Sequence, residues 1–180
     1  MTKMLSLFAA ALALSLFSGC ATSPGSESGK TDLKVDAGQT IAAAKKNDPT
    51  LKRFFDESAG YAIFPSVGKG AIGVGGAYGR GVLYVKGQPV GYCDLTQATV
   101  GLQLGGQAYS EIIFFETANN VEDFKSGNFA FSAQATAVAL KSVAGANAKY
   151  ASGVAVFTCD EAGLMYEASI GGQKFSYKPL

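Results

Sequence analysis

Gly68-Lys-Gly-Ala-Ile-Gly-Val-Gly-Gly-Ala-Tyr-Gly-Arg-Gly-Val-Leu-Tyr-Val85 is the stretch on which the fold turns. Read with a period of two, Ala71, Gly73, Gly75, Ala77, Gly79 and Gly81 form one nearly bare face. Ile72, Val74, Tyr78, Arg80, Val82 and Tyr84 form the other, apolar and aromatic. This is the alternation of a β-strand. Glycine weakens a strand, so a row of glycines calls for a reason, and close approach of a facing sheet, a helix or a ligand to the bare backbone supplies one.

The device recurs. Gly101, Gln103, Gly105 and Gln107 alternate with Val100, Leu102 and Leu104, and Ala133, Ala135, Ala137 and Ala139 alternate with Ser132, Gln134, Thr136, Val138 and Leu140. Three segments with a small-residue face predict a strongly coiled antiparallel sheet or a small β-barrel-like core. Helical spacing elsewhere makes the class α+β. Leu33, Ala37, Ile41 and Ala44 predict a helix over 33–47 with Asp32 as N-cap, Pro49 starts a second short helix, and Val121 and Phe124 mark a third, closed by Gly127.

The strands expected around these helices are short. Tyr61 to Phe64 is halted by Pro65, and Lys86-Gly87-Gln88 turns a hairpin. Val100 to Ala108 and Glu111 to Thr117 come next, and Phe129 to Leu140 is read as strand from its alternation, although its alanines favour helix. Gly153 to Cys159, Leu164 to Ile170 and Gln173 to Tyr177 make a three-stranded meander with turns at Asp160 to Gly163 and at Gly171-Gly172.

At the N-terminus, Lys3 precedes an apolar run from Met4 to Phe17 and then Ser18-Gly19-Cys20. The run reads as a secretory signal over 1–19, too short for a permanent span. Its ending resembles a bacterial lipobox, with Phe17 in place of the usual leucine, and implies lipid attachment at Cys20; an ordinary signal peptide is the alternative. Acyl chains there would tether the protein stably. Ala21 stands where the sorting rule this resembles places an aspartate for inner-membrane retention, so an outer-membrane lipoprotein facing the periplasm is expected. Residues 20–32 form the lipidated cysteine and a Ser/Gly/Pro-rich flexible tether, and 33–180 one domain.

The chain has 15 basic and 14 acidic residues; Lys3 leaves with the signal, which makes 14 against 14 in the mature chain. Near neutrality argues against nonspecific nucleic-acid binding. Histidine is absent, which removes Ser-His-Asp and Cys-His mechanisms and most transition-metal sites. Gly68-Lys-Gly-Ala-Ile-Gly73 has the G-x-G-x-x-G spacing, but the residues after Gly73 alternate as a strand where a dinucleotide site needs a helix N-terminus. No enzyme, cofactor or metal is expected. The cluster Lys45, Lys46, Lys52 and Arg53 reads as a solvated helix face, with membrane contact as its alternative. Cys93 and Cys159 each end an expected strand in a compartment that permits disulfides; a bridge and two free thiols are both open.

From about Leu33 onward the chain resembles the SYLF-domain family, in Ser58-Ala-Gly-Tyr-Ala-Ile-Phe-Pro65, the stretch 68–81, Gly101-Leu-Gln-Leu-Gly-Gly-Gln107, 129–140 and 161–171. It departs at Leu140-Lys-Ser, where Gly-Pro is usual. The resemblance implies binding of anionic lipid headgroups, phosphoinositides above all, and in some fungal members of actin filaments; a periplasm offers no actin. It makes Lys69 and Arg80 the candidate phosphate contacts, Arg80 through its bidentate fork. They can share one headgroup only if the strand folds back, with Gly75-Gly76 the expected place. The rival reading is a structural or interaction protein of the envelope without a specific ligand.

Overall fold

A computed structural model describes residues 24–127, 130–131, 137–139 and 144–180, with backbone alone for 102–103, 130–131, 137–139, 144 and 160–171. The chain order is α1 (Glu27–Asn47), a 3₁₀ turn (Pro49–Leu51), α2 (Lys52–Glu57), β1 (Gly60–Val85), β2 (Gln88–Phe115), α3 (Ala118–Lys125), β3 (Ala130–Phe131), β4 (Ala137–Ala139), α4 (Ala144–Asn147) and β5 (Val154–Pro179). The fold is α+β, and its sheet runs β1-β2-β5-β3, with β4 also on β5. All pairs are antiparallel except β4 with β5, and the sheet stays open at its ends.

Three strands of 26, 28 and 26 residues carry the architecture, far longer than ordinary strands of about five or six. Strands of that length can serve a domain of this size only by bending. β1 has register shifts between Phe64 and Val67, between Ile72 and Val74, and between Leu83 and Tyr84. Gly73, inside the second shift, has φ +72°, a conformation open to glycine at little steric expense. From there β1 doubles back on itself. A Cβ on Gly81 would lie 2.5 Å from the carbonyl oxygen of Ile63, one on Gly79 2.7 Å from the Val67 side chain, and one on Gly60 2.8 Å from the carbonyl oxygen of Tyr84. The two arms of β1 therefore lie against each other, and the Tyr61 and Tyr84 rings stack at 5.1 Å. β2 and β5 trace the same bend by pairing alongside.

Each face of the bent sheet has its own core. The inner face gathers Phe64, Val67, Ala77, Leu83, Leu95, Ile113 and Phe115 beneath α3, whose Val121 and Phe124 are buried there with Phe175. The outer face near the strand ends packs Tyr61, Ile63, Val82, Tyr84, Ile112, Phe114 and Phe157 under α1 and α2, through Ala37, Ala44, Leu51 and Phe54. The expected close approach is thus real, and its partner is the other arm of the same strand.

Local signals place the helices. Ser26 caps α1 by accepting from Gly29 N at 3.1 Å, with Glu27 in the first turn and Lys45 and Lys46 in the last. α1 therefore begins at Glu27, inside the segment expected to be a flexible tether and ahead of the expected cap Asp32. Thr117 and Asn120 form a capping box on α3, and Gly127, at φ +73°, comes just after its end. Asp48 is fully buried; its carboxylate accepts from Thr50 N at 2.9 Å and from Gly145 N at 2.7 Å, tying the 3₁₀ turn to α4. Asp48→Ala is expected to destabilise the domain by about 1–3 kcal/mol, since a cap is lost and a buried N–H is left without its acceptor. A thermal midpoint equal to the parent's would refute this.

Several boundaries differ from those the sequence suggested. Pro65 does not halt β1: the strand passes it in the bulge between Phe64 and Val67, where ladder pairing is already interrupted. Val100 to Ala108 and Glu111 to Phe115 are parts of one strand, β2, which runs on between them without a turn; Thr117 instead caps α3. The expected meander is also one strand, because β5 pairs with β2 from Val154 to Pro179, with one register shift between Asp160 and Ala162, and carries Gly163, Gly171 and Gly172 along it. The Lys86-Gly87 turn is present, with φ +51° and +74°, as a two-residue hairpin of the twist-matched kind requires. Of the expected strand Phe129 to Leu140, Ala130–Phe131 and Ala137–Ala139 are strand, and the remainder lies outside the described residues.

Candidate functional site

The two candidate phosphate contacts lie on opposite faces of β1. Lys69 alternates with Val67 and Ala71 on the inner face and is half-buried, opposite Gln107. Arg80 is exposed on the outer face, beside Tyr78. The fold-back needed for a shared headgroup exists, but it is centred on Gly73, not on Gly75-Gly76. Gly79 and Gly81 meet the Ile63–Val67 segment, so the bend brings Arg80 beside that segment and not beside Lys69. Arg80 Nε donates to Tyr78 Oη at 2.9 Å, and Tyr78 Oη donates to Asp94 Oδ1 at 3.2 Å. Asp94 is buried and stands directly opposite Arg80 in the ladder. Burial, more than its neighbours, pushes the Tyr78 phenol above its ordinary range.

At its apex the bend leaves the apolar face of the alternation exposed. Of the two faces of the glycine-rich stretch, Gly75, Ala77, Gly79 and Gly81 on the bare one are buried. On the apolar one Ile72 is 84% and Val74 69% exposed; their ladder partners Leu104 and Val100 are 64% and 66% exposed. Four aliphatic side chains therefore stand together at the apex of the bent ribbon. The alternation identified the face that carries Ile72 and Val74; which of the two faces would be covered depended on the bend.

The remaining candidates separate. Cys93 lies in the inner core, where burial foremost, and Asp94 beside it, push its thiol well above the usual range. Cys159 lies opposite Ser110 and lines a cavity of about 340 Å³ with Gln39, Thr40, Ala43 and Asn47 of α1. The two are on opposite faces of the sheet and both remain thiols, so the bridge does not form. Among the described residues, no group of three or more cysteine and carboxylate side chains could hold a metal ion.

The basic cluster is largely engaged within the fold. Lys45 Nζ lies 4.5 Å from the centre of the Phe55 ring, Lys52 pairs with Asp56, and Arg53 donates to the carbonyl oxygens of Gly145 and Ala148 at 2.7 and 2.6 Å. Arg53 also borders a cavity of about 320 Å³ with Glu57, Glu116, Lys149 and Tyr150. Its mixed charges offer no single-sign site for an anion.

No protein-family model matches the chain. It is similar to Beta cell expansion factor A of Aeromonas veronii, with 30% identity over 128 residues that make up 71% of this chain and 49% of that protein. The chain spans about half the length of that curated relative.

Proposed function

We infer that the protein is a SYLF-type lipoprotein of the bacterial envelope, tethered through Cys20, whose bent sheet binds membranes carrying anionic, phosphoinositide-like headgroups. The order of side chains along the outer face of β1 carries this reading. Ile72 and Val74 stand exposed at the apex, Tyr78 comes after them, and Arg80 lies beyond it. At about 3.3 Å per residue, Tyr78 is about 13 Å back from Val74 and Arg80 about 7 Å further. That sequence of aliphatic, aromatic and cation matches the order of acyl chains, interface and headgroups.

The ladder supports a shallow insertion. β2 is paired with β5 all through the apex and with β1 up to Val100 and again from Leu104, so most of its backbone groups there are satisfied within the sheet. Ile72, Val74, Val100 and Leu104 would each gain up to about 1.5–3 kcal/mol if fully buried. Arg80, opposite Asp94, contributes less than a lone cation would, so the aliphatic apex supplies most of the affinity and charge chooses among lipids.

The test is flotation of a chain starting at residue 21, without the lipidated cysteine, with neutral phosphatidylcholine vesicles and with vesicles containing a phosphoinositide. Stronger flotation with the anionic vesicles is expected. Ile72→Ser with Val74→Ser should reduce it at least tenfold, equivalent to about 1.4 kcal/mol. Arg80→Ala should narrow the difference between the two lipids, and Lys69→Ala, on the inner face, should change it less. Equal flotation of parent and Ile72/Val74 variant would overturn the reading in favour of an envelope interaction protein.

A further inference from the structure

Inside the bend a carboxylate and an amide meet in a way that leaves each half-satisfied. Glu111 is 1% and Gln173 2% exposed. Glu111 pairs in the ladder with Phe64 and Thr158, Gln173 with Gln97 and Phe131, so they belong to opposite arms of the bent sheet. Gln173 Nε2 donates to Glu111 Oε2 at 2.9 Å. The second oxygen of the carboxyl, Glu111 Oε1, and the amide oxygen, Gln173 Oε1, are buried with no hydrogen-bond partner among the described residues.

Two orphaned acceptors on a pair already joined by one hydrogen bond are what a missing proton leaves behind. A carboxylic acid and a primary amide close a reciprocal ring: amide N–H to acid carbonyl, acid O–H to amide carbonyl. The geometry points to Glu111 being held as a carboxylic acid whose Oε1–H donates to Gln173 Oε1, forming a proton-dependent latch between the two arms of the bent sheet. Ionisation removes that donor, sets two acceptors against each other and leaves a buried charge.

Among the described residues no nearby charge supplies an alternative partner. Burial pushes the Glu111 carboxyl up to about 7, the hydrogen bond from Gln173 opposing, and no charged residue contributes to the shift. The ionisable groups facing the inner side are Lys69 on β1, Cys93 and Tyr109 on β2, and Tyr177 on β5; Asp160 holds the register position opposite Tyr109. On α3, Glu122 and Asp123 are exposed and Lys125 pairs with Glu122.

The folded carboxyl titrates above the unfolded one, so between about 4.5 and 7 the folded chain binds the extra proton. The latch's contribution to stability is complete below that window and lost as pH rises through it, and the latch itself opens as pH passes about 7. The folding constant should fall by up to tenfold per pH unit across the window, roughly a hundredfold or more in all. Denaturant unfolding of the mature chain in neutral detergent, from pH 4 to 8, should show this fall for the parent and its absence in Glu111→Gln, whose amide pairs with Gln173 at any pH.

A direct titration requires no variant. Carbon-13 NMR of the glutamate carboxyls in the parent should show one that titrates near 7, well apart from the rest. If every glutamate titrates below about 5.5, or if the parent and Glu111→Gln run parallel in pH, the latch does not exist.

Discussion

Replacing Gly81 by valine is expected to destabilise the domain by more than about 3 kcal/mol, the upper part of the range for overpacking, because the new side chain has nowhere to go. Its Cβ alone would lie 2.5 Å from the carbonyl oxygen of Ile63 and 2.7 Å from the Phe64 ring. The first of those atoms is backbone, and moving it would pull apart the two arms of β1. At about 2–4 °C per kcal/mol, the thermal midpoint should drop by roughly 10 °C. Gly79→Val should act in the same direction against Val67. Gly68→Ala and Gly70→Ala are the controls: nothing lies within 4 Å of a Cβ at either position, and neither has positive φ. Those exchanges should stay within about 1 kcal/mol of the parent. Equal midpoints for Gly81→Val and Gly68→Ala would mean that the arms do not touch.

Phe114→Ala should destabilise the fold by about 3–5 kcal/mol, the range for removing a fully buried aromatic ring. Phe114 is fully buried on the outer face, and its ring centre is 5.3 Å from that of Phe54, 4.8 Å from Phe55, 5.9 Å from Tyr61 and 5.8 Å from Phe157. It is where α2, β1, β5 and the C-terminal end of β2 meet, so the cavity left behind has several rings on its wall and cannot collapse onto one neighbour. Chemical denaturation compared with Leu180→Ala, at the exposed C-terminus, checks it. A loss below about 1 kcal/mol would show that α2 does not dock on the sheet.

These two substitutions probe different halves of one design. Gly81 lets the arms approach from the inside, and Phe114 anchors the helices that cover the outside. Between them the apex is covered on neither account: Gly68, Gly70 and Gly73 have open space around them, and Ile72, Val74, Val100 and Leu104 face outward. One glycine-rich stretch thus serves two ends, close packing at Gly79 and Gly81 and a thin exposed lip around Gly73. The proposed membrane contact belongs to the lip, and its loss in the Ile72/Val74 variant should leave stability near that of the parent.

The sequence by itself determined whatever depends on a few neighbouring residues. The α+β class, the period-two face of 71–81, the Lys86-Gly87 hairpin and the helix closed by Gly127 were all legible, because caps, positive φ and alternation act within a turn or a strand. Tertiary structure decided where strands end and which face is covered. Gly163, Gly171 and Gly172 carry turn chemistry, yet pairing with β2 on an unbroken register holds them in one strand, since each ladder position outweighs a local preference for turning. Pro65 passes within a strand because a bulge already forgoes the hydrogen bond it cannot make. Cys93 and Cys159 fall on opposite faces because side chains alternate and β5 carries one extra residue between Asp160 and Ala162, a count that requires the register. The same holds for Glu111 and Gln173: they lie 62 residues apart in the chain, and only the bend that brings Ile63 to Gly81 brings the acid to the amide.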